Sequence, residues 1–162
     1  MSTEHLATYL NDHLAGAMVA LELLEHLQKA HAGTPMEKFA GDLYAEIDED
    51  REVLVNLMSK LDIAESRTRQ AAAWLTEKAG RLKLRFDDPS GGNLLLYQIL
   101  ETLSLGIEGK SSLWTALEAA AEDAPALRVE NYDALRQRAV QQRDRVESHR
   151  ITTARKTFSP GA

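Results

Sequence analysis

Leu43-Tyr44-Ala45-Glu46-Ile47-Asp48-Glu49-Asp50-Arg51-Glu52-Val53-Leu54 spaces its apolar side chains by threes and fours, as one face of an α-helix requires. Asp50 falls on that stripe, between Ile47 and Leu54. A carboxylate in such a position is a metal ligand, a catalytic group or a polar contact inside a helical bundle. The stripe extends outward from Phe39 through Leu43, Ile47, Asp50, Leu54 and Leu57 to Leu61. Thr34-Pro35-Met36-Glu37 precedes it and fits a capping box, with Thr34 as N-cap, Pro35 at N1 and Glu37 at N3. A helix is therefore predicted over Pro35–Leu61.

The same periodicity predicts four further helices. The first, Ser2–Ala30, carries Leu6, Leu10, His13, Ala17, Leu21 and Leu24, and stops at His31-Ala32-Gly33. The third, Ser66–Phe86, carries Ala71, Leu75, Ala79 and Leu82 and is broken at Asp87-Asp88-Pro89. The fourth, Asn93–Glu122, turns Leu96, Leu100, Leu103, Ile107, Trp114 and Leu117 inward. The fifth, Val129–Thr157, does so with Tyr132, Leu135, Ala139, Val146 and Thr153. Residues 1–158 are expected to form a single helical-bundle domain, with 159–162 as a disordered tail.

Short turns join the first helix to the second and the fourth to the fifth, so each pair should form an antiparallel hairpin. Between the second and fourth helices lie about thirty residues carrying the third. A helix of about 20 residues covers roughly 30 Å, enough to return the chain to the other end of the bundle. The fourth helix should then run parallel to the second.

This all-α layout resembles the ferritin-like superfamily, a four-helix bundle whose two antiparallel pairs are joined by a long crossover, here carrying an extra crossover helix. The alternative is a five-helix antiparallel bundle. Leu10-Asn-Asp-His-Leu-Ala-Gly16, Trp74-Leu-Thr-Glu-Lys-Ala-Gly-Arg-Leu-Lys83 and Leu105-Gly-Ile-Glu-Gly-Lys110 are also similar to phrases of small bacterial helical proteins. The superfamily resemblance implies iron or manganese held by a glutamate from two helices and Glu-x-x-His from the other two. The residues three before His5, His13, His26, His31 and His149 are Ser2, Leu10, Leu23, Gln28 and Val146, so that motif is absent. If a non-standard ligand set holds iron or manganese instead, its candidates are His13, Glu46 and Asp50.

Projection of each helix onto its stripe brings His13, Asp50, Lys110, Gln142 and Arg143 inward at similar heights. Lys110 or Arg143 is the expected cation for Asp50, because an unpaired buried ion costs several kcal/mol. This polar core layer is expected to fix helix register. Its sharper alternative is a polar pocket with His13 as base and Lys110 as electrostatic stabiliser. The glycines of Gly106-Ile107-Glu108-Gly109-Lys110 are expected to let another helix approach closely.

The sequence has no cysteine among its 162 residues, which excludes disulfides and thiolate chemistry. The N-terminus has no signal-peptide pattern, and no apolar run approaches the roughly 18 residues of a membrane span. A cytoplasmic location is expected. The net charge of −6 disfavours nucleic acid as a partner. That total divides unevenly: Pro35–Leu61 has seven acidic and three basic residues, whereas Glu65–Phe86 has six basic and two acidic. The basic third helix, with Trp74 beside its charges, is the one hint of a membrane surface or acidic partner. No nucleophile elbow, phosphate loop or zinc spacing occurs. The functional expectation is a non-catalytic bundle acting through a protein partner or self-association, with a metal-binding protein or oxidoreductase as the alternative.

Overall fold

The computed structural model describes residues 3–66, 73–87 and 92–159, with the side chains of 73–76 excepted. Its five α-helices are α1 (Thr3–Ala30), α2 (Pro35–Lys60), α3 (Ala73–Lys83), α4 (Gly92–Ala121) and α5 (Tyr132–Phe158), with a short 3₁₀ turn at Pro125–Leu127. No strand occurs among the described residues.

Helix ends follow local chemistry. Gly33, at φ +78°, makes the tight turn after α1. Thr34 is the extended N-cap of α2, but its hydroxyl donates to His31 O (2.7 Å) and caps nothing. Glu37 reaches back to accept from the Gly33 N–H (2.6 Å). The expected capping box is therefore displaced by one residue on its acidic side. Asn131 caps α5, its side chain accepting from the Ala134 N–H at 3.0 Å. The fifth helix consequently starts three residues later than Val129, and the intervening chain is held by Arg128, which donates to Ala121 O at the end of α4. Helix α3 ends at Lys83, with residues 84–87 continuing as turns. The start of the predicted third helix, with Arg67, Arg69 and Ala71, falls largely outside the described residues. So do the Trp74 side chain and the last three residues of the expected tail.

Helix packing follows from two apolar clusters. One joins the C-terminal half of α1 (Leu21, Leu24, Leu27) to the N-terminal halves of α2 (Leu43, Ile47) and α4 (Ile99, Leu103), and to Val146 of α5. The other joins Leu10 and Leu14 to Leu54 and Leu57 of α2, Leu113 and Trp114 of α4, and Tyr132 of α5. Helices α1 and α5 therefore run one way, α2 and α4 the other. Helix α1 packs on α2, α4 packs on α5, and α1 also meets α4. Ion pairs join α2 to α5: Arg145 grips both oxygens of Glu46, and Arg138 binds Glu49 (2.6 Å). Helix α3 lies against α1 and α4 with Leu82 in the first cluster. Helix α3 is described from Ala73 to Lys83, and the residues just before it lie outside the described ones.

Lys78 and Lys83 of α3, and Arg85 just beyond it, turn back on the other helices. Lys83 pairs with Glu22 of α1, Lys78 with Glu101 of α4 at 3.1 Å, and Arg85 donates to Gln98 at 2.6 Å. Asn11 of α1, which the apolar stripe does not include, is buried and fastens the chain beyond α2. Its amide donates to Ala64 O (3.2 Å), and its carbonyl accepts from the Ser66 N–H (2.6 Å).

Candidate functional site: a cavity beside a buried polar layer

A change in one register of the bundle separates the two apolar clusters. On α2 the buried positions seven apart read Leu43, Asp50, Leu57; on α4 the partly buried Lys110 lies between buried Leu103 and Leu117. The neighbouring α4 register reads Ile99, Gly106, Leu113, and α1 reads Leu10, Ala17, Leu24. In each case large apolar residues flank a central position that is charged or small. Charge fills part of the middle layer and empty space the rest.

The charged part is a closed set of contacts. The Lys110 ammonium pairs with Asp50 Oδ2 and donates to Gln142 Oε1, while Gln142 Nε2 donates to the same Asp50 oxygen at 3.0 Å. Asp50 is 3 % exposed and Gln142 wholly buried. Burial pushes the Lys110 ammonium below its ordinary value, and the nearby Asp50 carboxylate opposes that fall. Arg138 Nε stands 3.3 Å from Asp50 Oδ1, an ion pair without hydrogen-bond geometry, and that oxygen accepts no hydrogen bond among the described residues.

The layer as expected from the sequence is thus assembled in part. Asp50, Lys110 and Gln142 meet. Arg143 does not join them: it is 40 % exposed and lies 3.4 Å from Glu108 on the outer flank of α4. Relative to Gln142, Arg143 is rotated by about 100° towards α4, whereas Arg138 lies about 40° round on the side of α2. Arg138 therefore takes the role expected of Arg143. His13 also stays out of the hydrogen-bonded set, stacking edge-on with Tyr9 at 4.7 Å.

The empty part is a cavity of about 330 Å³ among α1, α2 and α4. His13, Gly16, Ala17 and Ala20 form its α1 wall, Ile47, Asp50 and Leu54 its α2 wall, and Gly106, Lys110 and Trp114 part of its α4 wall. A Cβ added at Gly106 or Gly109 would meet no atom within 4 Å. These glycines border open space, which corrects the expectation that they admit a close helix. Trp114 is 1 % exposed, and its indole N–H finds no acceptor among the described residues. Tyr9 and Asp12 complete the α1 side; Asp12 makes no hydrogen bond or ion pair among the described residues.

The chemistry available is limited. Burial lowers the His13 pKa, and Asp12 raises it in opposition. His13 makes no hydrogen bond among the described residues, so no carboxylate orients it as a base. Of the alternative metal set, Glu46 is turned to Arg145, whose hydrogen bond holds its carboxyl below the usual range. No three His, Asp or Glu residues converge as metal ligands among the described residues. No family model, curated protein or solved structure matches the chain.

Proposed function

We propose that this protein is a non-catalytic helical bundle that holds a small, mostly apolar molecule between α1, α2 and α4. The observation carrying this reading is the pair of mid-helix glycines, Gly106 and Gly109, with nothing packed against them. A glycine inside a helix costs roughly 0.5–1 kcal/mol relative to alanine. Such a cost is usually offset by a close backbone contact, which is missing here. What the glycines do is leave room. At about 330 Å³ the cavity stands at the small end of ligand pockets, which span roughly 300–1,000 Å³. Its walls are chiefly apolar, with a few convergent polar groups, as such pockets require.

The order and direction of the long helices support a ferritin-like layout for the bundle. Metal chemistry of the ferritin-like kind draws no support from the donors present, because Glu46 is engaged by Arg145 and Asp50 by Lys110. Titration of 4-phenylbutanol into the isotope-labelled protein tests the ligand reading. Amide shifts should concentrate around Ala17, Asp50 and Gly106 and disappear in Gly106→Leu. Absence of saturable shifts there would refute it.

A further inference from the structure

The groups around the cavity are unequal in what they still have to offer. Both fixed cations in its wall are committed. Lys110 is taken by Asp50 and Gln142, and Arg51 by Asp48 (2.8 Å) and Glu52. The anions differ: Asp50 is held by Lys110 and lies 3.3 Å from Arg138, whereas Asp12 has neither hydrogen bond nor ion pair among the described residues. Tyr9 and Trp114 add aromatic surface, which attracts a cation through its π face.

Building on the ligand-binding reading, we propose that the molecule held is an organic amine, its protonated nitrogen taken by Asp12. Its apolar body then lies along Ala17, Ala20 and Leu54 and fills the space beside Gly106. A carboxylate ligand would find no uncommitted cation and would have to displace Asp50 from Lys110. A neutral alcohol would fit the space but leave Asp12 as it is.

Calorimetry with three molecules of one shape, 4-phenylbutylamine, 4-phenylbutanol and 4-phenylbutyrate, tests this at neutral pH and about 0.15 M salt, where diffuse surface attraction is screened. The amine should bind about tenfold tighter than the alcohol, as a charge-assisted hydrogen bond gives, with the butyrate weakest. Asp12→Asn should bring the amine-to-alcohol ratio towards one. Gly106→Leu should abolish binding, and Ala20→Leu, filling the cavity from α1, repeats that control should Gly106→Leu not fold. Alcohol or butyrate binding as tightly as the amine, and lost on filling, would overturn the amine and keep the ligand cavity. No binding by any of the three, or binding that survives filling, would overturn both.

Discussion

Asp50 of α2 and Lys110 of α4 pair across the bundle interior, and Gln142 of α5 binds both. The three residues come from three helices and sit between two apolar clusters. They join α2, α4 and α5 at one height, so a slip of any one helix by a turn would break the set. The layer therefore specifies register, and the pair's net worth is smaller than the cost of breaking it.

Asp50→Ala should destabilise the protein by about 3 kcal/mol, because it leaves the largely buried Lys110 ammonium facing only Gln142. Lys110→Met should cost a similar amount by stranding the carboxylate. The double change Asp50→Leu with Lys110→Met removes both charges and should cost less than the sum of the single losses. Urea unfolding of the four proteins gives the comparison. Additive losses would mean that the two side chains do not interact.

Gly106→Ala should have the opposite sign. The added methyl meets nothing within 4 Å, and alanine removes a helix penalty of roughly 0.5–1 kcal/mol. The melting temperature should rise while affinity for a cavity probe falls. A drop in melting temperature would show that the backbone at Gly106 is closely packed after all.

Much of the architecture was legible because helix periodicity is a local property. The stripe around Asp50 locates α2 and predicts the carboxylate's burial, and the short turns and long connection predict which helices run together. The identity of the second cation near Asp50 was not legible. Periodicity gives the direction of a Cα–Cβ bond, whereas an arginine's charge lies several bonds beyond it, so flanking Arg138 and Arg143 differ by which neighbour they meet. The cavity had a signal in the sequence: Ile99-Gly106-Leu113 and Leu10-Ala17-Leu24 place small residues where the stripe calls for large ones. A close helix contact explains such residues equally well from sequence, and packing decides between the two. Asn11 escaped notice because its partners, Ala64 and Ser66, are far along the chain.

Asn11→Ala should cost about 1–3 kcal/mol, since it leaves the Ser66 N–H and Ala64 carbonyl without their partner. Amide exchange should accelerate first at residues 63–66. Uniform exchange changes across all helices, with none concentrated there, would contradict the role of Asn11 as the fastening of this connection.

Acid should destabilise the protein in two windows with different residues behind them. Burial lowers the pKa of His13, His26, His31 and His149 below the ordinary 6.5, so the unfolded chain takes up protons first. Stability is therefore highest above that value and declines as pH falls through 6.5 and below. Glu147 acts lower. Hydrogen bonds from Arg150 and Ser104 hold its carboxyl at about 2, against 4.5 in the unfolded chain. Its contribution is present above 4.5 and is lost as pH falls towards 2. Glu147 is partly exposed, so solvent screening keeps the effect modest. Glu147→Gln should reduce the slope of melting temperature against pH below 4.5 and leave the slope near 6 as it was. Equal slopes below 4.5 in the two proteins would remove Glu147 as a source of the acid sensitivity.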